Sequence, residues 1–242
     1  MSDTLIQHQQ NTHTQLGRNA DLMRLAANHL GADAPIKALS FGCSDGSECV
    51  DFSKVFPNAS VVGADVDAKA LATAQALNHP RIKVVFSTKN NIEPLGPFDV
   101  IFAMNVLCIY PQTDGLPDIA DVYPFAKFDE EIQRLDSYLK PGGVLGLFNC
   151  QYYFDDTKPA ANYKPLVTGS YKHGAWITRY RPDGRPASNS VFEMYGQSFT
   201  LPQWREFTKT QPAAYTGMRH EWVDPDAYSG RHTDVSLWVK QA

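Results

Sequence analysis

Two glycines four residues apart, Gly42 and Gly46, follow a short apolar run ending at Phe41 and precede residues that read as the first turn of a helix. A strand that stops at such a turn and feeds a helix makes a ligand-binding corner. Gly42 lets the chain reverse without a Cβ, Gly46 lets a ligand approach the main chain, and free N–H groups at the helix start hold a carboxylate or phosphate. Cys43 and Ser44 lie inside the turn. Asp65 comes 23 residues after Gly42, at the end of a second apolar run from Ala59 to Ala64. A carboxylate there can accept both hydroxyls of a ribose whose other end lies over the turn. The plain alternative is a helix cap, a role for which Asp67 competes. Asn105 follows a further apolar run, Phe98 to Met104, where a polar residue serves the crevice of an open sheet.

These residues need a frame, and the rest of the chain supplies one. Apolar residues recur at helical spacing from Leu22 to Leu30, with Asn19 as a possible cap and Gly31 as a stop. Helices are expected over Ser47 to Phe56 and Asp67 to Leu77, and another carries Phe125, Phe128, Ile132, Leu135 and Leu139 on one face. Strands are expected at Ile36 to Phe41, Ala59 to Ala64, Ile82 to Phe86, Phe98 to Met104 and Gly143 to Phe148. Near-continuous apolar strands alternating with helices predict a Rossmann-like, doubly wound α/β fold with a mostly parallel, seven-stranded sheet. Beyond Cys150 the alternation fails. Trp176 to Arg181 and Val191 to Phe199, flanking Pro182-Asp183-Gly184-Arg185-Pro186, read as a β-hairpin inserted after the fifth strand. A helix from Leu201 to about Thr210 and two strands, around Met218 to Val223 and Val235 to Lys240, close the chain. The domain reading is therefore a polar lead and capping helix over 1–35, a cofactor-binding core over 36–150, a specificity insertion over 151–200, and a closing helix and strands over 201–242.

With 242 residues, 43% of them hydrophobic, the chain can bury a full core. A formal net charge of −4 gives no basic excess, so a nucleic-acid partner is not expected. The absence of a long apolar run, together with a polar N-terminus, argues for a cytoplasmic protein without a membrane span. The four cysteines, Cys43, Cys49, Cys108 and Cys150, show no metal-ligand spacing and read as reduced, buried thiols. The sequence sets no oligomeric state.

The ligand can be narrowed. A dinucleotide would use the same corner, but the third glycine of its fingerprint is missing and Asp45 would put negative charge beside a pyrophosphate. An amino-acid end carrying an ammonium tolerates Asp45 better, which favours S-adenosylmethionine over NAD. The motif order then resembles the class I S-adenosylmethionine-dependent methyltransferases: glycine turn, acidic residue after the second strand, Phe98-Asp99-Val100-Ile101 at the fourth, and Leu139-Lys140-Pro141-Gly142-Gly143-Val144-Leu145 into the fifth. Within that family, Gly42-Cys43-Ser44-Asp45-Gly46-Ser47-Glu48 and Asn105-Val106-Leu107-Cys108-Ile109-Tyr110 are similar to chemotaxis receptor glutamate methyltransferases. Those enzymes carry a basic helical N-terminal domain, which this sequence does not match, so only the cofactor site is carried over. The resemblance implies that Gly42, Cys43, Ser44 and Gly46 face the methionine part, Asp65 takes the ribose, Val66 flanks the adenine, and Asn90 or Asn91 meets its edge. Asn105 and Val106 would stand beside the sulfonium.

Displacement at a sulfonium needs positioning and desolvation more than acid–base help. Should the acceptor arrive protonated, His173 is the candidate base, with Tyr110, Tyr152 and Tyr153 as hydrogen-bonding positioners. The aromatic insert could wall a small-molecule pocket. The expectation is methyl transfer to oxygen or nitrogen of a small-molecule acceptor. Protein carboxyl methylation and a non-catalytic nucleoside-binding protein are the alternatives, and a dehydrogenase is a distant further one.

Overall fold

The computed structural model describes residues 8–9, 12–113, 116–168, 177–187, 189–194, 197–210, 219–223, 231–232 and 235–242. In chain order the strands are β1 (Lys37–Phe41), β2 (Ser60–Asp65), β3 (Ile82–Phe86), β4 (Phe98–Met104), β5 (Leu139–Phe148), β6 (Tyr163–Pro165), β7 (Asn189–Met194), β8 (Gln197–Thr200), β9 (Arg219–Val223) and β10 (Leu237–Lys240). The helices are α1 (Ala20–Leu30), α2 (Ser47–Val55), α3 (Ala68–Ala76), α4 (Lys89–Ile92), α5 (Phe125–Tyr138) and α6 (Leu201–Thr210).

Seven strands form one sheet in the order β3-β2-β1-β4-β5-β10-β6. The first five are parallel, and β10 lies antiparallel between β5 and β6. Side chains alternate between the two faces, so each strand feeds two cores. Val61, Val100, Phe102 and Val144 meet Leu22 and Met23 from α1, Phe52 from α2 and Phe56 just past its end. Leu39, Ile101, Leu145 and Leu147 meet Phe128, Ile132 and Leu135 from α5. Burial on both faces is why these strands read as near-continuous apolar runs. The order reverses at β1, with β2 on one side and β4 on the other. That reversal opens a crevice at the carboxyl ends of the strands, where Gly42, Asp65 and Asn105 sit. Among the described residues no helix is long and apolar enough to cross a membrane.

Past Cys150 the structure corrects the expected strands. The seventh strand of the main sheet is Tyr163–Pro165, three residues from the stretch read as insertion. The strand expected around Met218 to Val223 instead pairs as β9 with β7, which also pairs with β8, giving a separate three-stranded sheet. A hairpin follows β5 as expected, but it joins β7 to β8. The Pro182–Arg185 turn closes only a local loop, through Arg181 N–H to the Arg185 carbonyl at 2.8 Å and Ala187 N–H to the Arg179 carbonyl at 2.9 Å. Tyr180 there makes isolated bridges to Tyr152 and Pro186.

Candidate functional site

A cleft with about 820 Å3 of empty space lies over the glycine turn, between the carboxyl ends of β1, β2 and β4 and the N-terminal segment. Gly42, Cys43 and Ser44 form its floor, Asp65, Val66 and Ser87 one end, and Asn105 and Val106 the other. Thr12, His13 and Arg18 from ahead of α1 complete the wall.

The turn is built from its own hydrogen bonds. Gly42 and Cys43 N–H both donate to the Ala64 carbonyl, at 2.8 and 3.0 Å, and Gly46 N–H donates to the Cys43 carbonyl at 3.0 Å. Ser44 N–H donates to Asp65 Oδ2 at 2.7 Å, and Ser47 N–H to Asp45 Oδ1 at 2.9 Å. These amides are satisfied internally, so the anion cradle expected of the corner is largely taken up by the protein itself. Gly42 has φ 77°, and a Cβ there would stand 2.6 Å from a methyl of Val106, so glycine lets Val106 lean over the turn. Gly46 plays another part than expected. With φ 84°, it turns its open side away from the cleft, and a Cβ would meet Leu77 Cδ1 at 2.7 Å and Ala74 at 3.1 Å; the missing side chain admits α3.

Asp65 is buried at the cleft wall, with Oδ1 accepting from Asp67 N–H at 2.9 Å as Oδ2 holds Ser44. Asp67 caps α3 through Ala70 N–H at 2.7 Å, which leaves Asp65 at the site as the sequence suggested. Asn105 stands at φ 58°; its Oδ1 accepts from Asn149 Nδ2 at 2.5 Å and Arg18 Nη2 at 3.3 Å. Cys43 lines the cleft, with its thiol beside Cys49 under the turn, where the hydrogen bond to Cys49 and burial push it well up.

Several expected site residues lie elsewhere. Thr88 caps α4 by accepting from Asn91 N–H, and Asn91 Nδ2 donates to the Phe86 carbonyl at 3.0 Å. Asn90 and Asn91 are thereby exposed away from the cleft, and Ser87 takes the place foreseen for them. Tyr152 is core: its ring stacks on Tyr123 and meets Phe125 and Phe128, and its hydroxyl donates to the Tyr123 carbonyl. Tyr153 is buried too, under the Arg179 guanidinium at 4.7 Å. His173 lies outside the described residues.

A second cavity, with about 600 Å3 of empty space, adjoins the first. Tyr110, Cys108, Asn149 and Ile177 line it, and it shares Gln9, His13, Arg18 and Asn105 with the cleft. None of its described lining residues is acidic. This N-terminal wall lacks apolar periodicity, and polar anchors hold it. His8 meets Tyr123 Oη at 2.6 Å and Glu131 Oε2 at 3.2 Å, Ser44 Oγ donates to the Thr12 carbonyl at 2.5 Å, and Gly17 N–H donates to Asp51 at 2.6 Å. Glu48, also passed over, lines the cleft from the first turn of α2. Its Oε1 accepts from Ser40 Oγ and its Oε2 from Asn19 Nδ2, both at 2.7 Å.

Residues 39–145 match the family model described as a methyltransferase domain. The chain is 32% identical over 133 residues to a trans-aconitate 2-methyltransferase of Azoarcus sp. strain BH72, covering 53% of this chain and 46% of that protein. It is 28% identical over 111 residues to a trans-aconitate 2-methyltransferase of Deinococcus radiodurans, covering 46% and 36%. The matched stretch thus spans less than half of either relative. Among solved structures, the plantazolicin methyltransferase BpumL with SAH is 20% identical, with a TM-score of 0.41 over 54% of this chain and 46% of that one. The two segments likened to chemotaxis receptor enzymes gain nothing from these relatives.

Proposed function

We propose that this chain, whose core is a class I S-adenosylmethionine-dependent methyltransferase domain, methylates an oxygen or nitrogen of a small-molecule acceptor, and that the acceptor atom is a carboxylate oxygen. The observation that carries this reading is the meeting of the two cavities at Asn105 and Arg18. The one over the glycine turn fits the cofactor by its polar lining, a buried carboxylate at one end for ribose hydroxyls and a left-handed Asn105 at the other. Bound S-adenosylmethionine would supply an activated methyl group, with the neutral thioether of S-adenosylhomocysteine as the leaving group. Arg18, with no carboxylate within ion-pair distance among the described residues, offers a small carboxylic acid a partner in a cavity whose described lining residues include no acidic group. The acceptor named in both trans-aconitate relatives is such an acid. A carboxylate arrives deprotonated, so His173 has no proton to take, and positioning beside Asn105 with exclusion of water supplies the acceleration. Tyr110 is placed to hydrogen-bond the acceptor.

The test is incubation with methyl-labelled S-adenosylmethionine and a panel of small di- and tricarboxylates. Label is expected in base-labile methyl esters, with Arg18→Ala raising KM for the acid by about tenfold or more, a larger factor than any weakening of S-adenosylhomocysteine. Label on protein would favour the carboxyl methylation of a macromolecule. S-adenosylhomocysteine binding without turnover on any acceptor would favour a non-catalytic role.

A further inference from the structure

Two asparagines stand at the carboxyl ends of the neighbouring strands β4 and β5, and both are left-handed, Asn105 at φ 58° and Asn149 at φ 52°. They follow directly on the paired residues Met104 and Phe148, and Asn105 N–H donates to the Phe148 carbonyl at 2.8 Å. A side chain at such a φ carries a backbone cost that glycine escapes, so asparagine at both positions points to work for the amides. The two amides touch. Asn149 Nδ2 donates to Asn105 Oδ1 at 2.5 Å, and Arg18 Nη2 donates to the same oxygen at 3.3 Å. A guanidinium can only donate, so the Asn105 atom it faces must be the oxygen, and the Asn149 atom on that oxygen must be nitrogen. Arg18 thereby sets the orientation of both amides. Asn105 Nδ2 has no hydrogen-bond partner among the described residues, and Asn105 lines both cavities. The end of the amide left to a ligand where the cavities meet is therefore an NH2.

Resting on the function proposed above, we propose that Asn149 is a positioning residue that locks the Asn105 amide with its NH2 toward the acceptor, and that this polarity selects an acceptor group presenting oxygens over one presenting N–H. Asn149 is buried and lines the second cavity. Without its NH2 on Asn105 Oδ1, the Asn105 amide keeps only the longer bond from Arg18, and a half-turn about its last side-chain bond exchanges Oδ1 for Nδ2 at the junction. A carboxylate oxygen that meets an NH2 gains a hydrogen bond, whereas against Oδ1 it sets acceptor to acceptor. A group that presents N–H has the reverse need. Arg18 and the Asn105 NH2 thus make one donor set for a carboxylate, and Asn149 fixes the polarity of its second member.

The experiment is a double-mutant cycle over Asn105 and Asn149, read as calorimetric binding of small di- and tricarboxylates, from succinate to citrate, to protein saturated with S-adenosylhomocysteine. Asn149→Gly suits the left-handed φ and removes the amide, so the fold should be kept, with a melting temperature within a few degrees of wild type. It should weaken the best-bound acid by about fivefold to tenfold, and Asn105→Ala by about tenfold or more. In the Asn105→Ala background, Asn149→Gly should change acid affinity by less than about twofold, because its route to the acid is gone. The half-amide of the same acid should bind wild type more weakly than the acid does, and Asn149→Gly should narrow that gap by about threefold or more, since a freed Asn105 can turn Oδ1 to the N–H. Additive losses in the cycle would make Asn149 act by itself and overturn the inference. So would an Asn149→Gly protein that binds the acid as wild type does, or one that keeps the wild-type ratio of acid to half-amide. Wild-type protein that takes up S-adenosylhomocysteine but none of the acids would instead overturn the carboxylate function proposed above, and the role of the Asn105 NH2 with it.

Discussion

Asp65 ties the turn together and, on the function proposed above, would hold the ribose, and Asp65→Ala tests the two roles together. The substitution removes the acceptor of Ser44 N–H at 2.7 Å and of Asp67 N–H at 2.9 Å. Hydrogen bonds to a charged group contribute roughly 1.5–3 kcal/mol each. Water can enter from the cleft and replace part of that, so the expected loss is about 2–4 kcal/mol in urea unfolding of the ligand-free protein. Loss of the ribose partner should add a fall of about tenfold to a hundredfold in S-adenosylhomocysteine affinity, roughly 1.4–3 kcal/mol. Asp65→Asn keeps the shape and one acceptor oxygen but turns an NH2 toward one of the two amides, so it should fall between wild type and alanine in both assays. Stability lost with affinity intact would mean that Asp65 serves only the turn. Stability and affinity both unchanged would refute the site.

Glu48 makes a second, ligand-free prediction. Its carboxyl rises from 4.5 to about 7 on folding, so the unfolded chain gives up this proton first. Its contribution is fully present below pH 4.5 and is lost as the pH climbs through 7, by about 3 kcal/mol in all. Urea midpoints at pH 5 and pH 8 should show this fall in the wild type and a smaller one in Glu48→Gln; parallel curves would refute it. Gly46→Ala should cost stability by forcing a side chain into the left-handed region, about 1–2 kcal/mol, and by crowding Leu77. Calorimetric melting should fall by a few degrees, Leu77→Ala should restore part of it, and S-adenosylhomocysteine affinity should change little; abolished binding with an intact fold would return Gly46 to the cleft. His8→Ala leaves buried Tyr123 Oη without its partner, while Arg134 still holds both oxygens of Glu131, a cost of about 1–3 kcal/mol. Limited proteolysis should then cut the N-terminal segment faster, and S-adenosylhomocysteine should slow that cutting; unchanged cleavage would show that the segment is held by its other contacts.

What could be read from the sequence follows from which forces are local. The five parallel strands were legible because burial on both faces writes itself as unbroken apolar runs, and Gly42, Asp65 and Asn105 because strand ends are where such a sheet keeps its crevice. β6 was not legible: three residues ending in Pro165 become a strand only because β10 offers an edge contributed from far along the chain. Asn90 and Asn91 were misplaced because a cap from Thr88 starts a helix directly after β3 and swings them out. Glu48 was passed over because only the folded chain brings Ser40 of β1 and Asn19, just ahead of α1, onto its two oxygens. The N-terminal wall could not be positioned from sequence for the same reason, since each of its anchors is a single polar bond to a residue distant in sequence.

The hydrogen bonds of the turn also bear on which nucleoside can sit there. A pyrophosphate at a helix N-terminus needs free amides and no competing anion. Here the Gly42 and Cys43 amides point at Ala64, the Ser44 amide at Asp65 and the Ser47 amide at Asp45. A dinucleotide would meet carboxylates at Asp65 and Glu48 and few of the amides that normally hold it. An adenosine, on the function proposed above, would meet Asp65 as a partner for its ribose hydroxyls. The missing third glycine already argued against a dinucleotide, and the structure adds the physical reason: the turn has used its donors on the protein and kept its acceptors for the ligand.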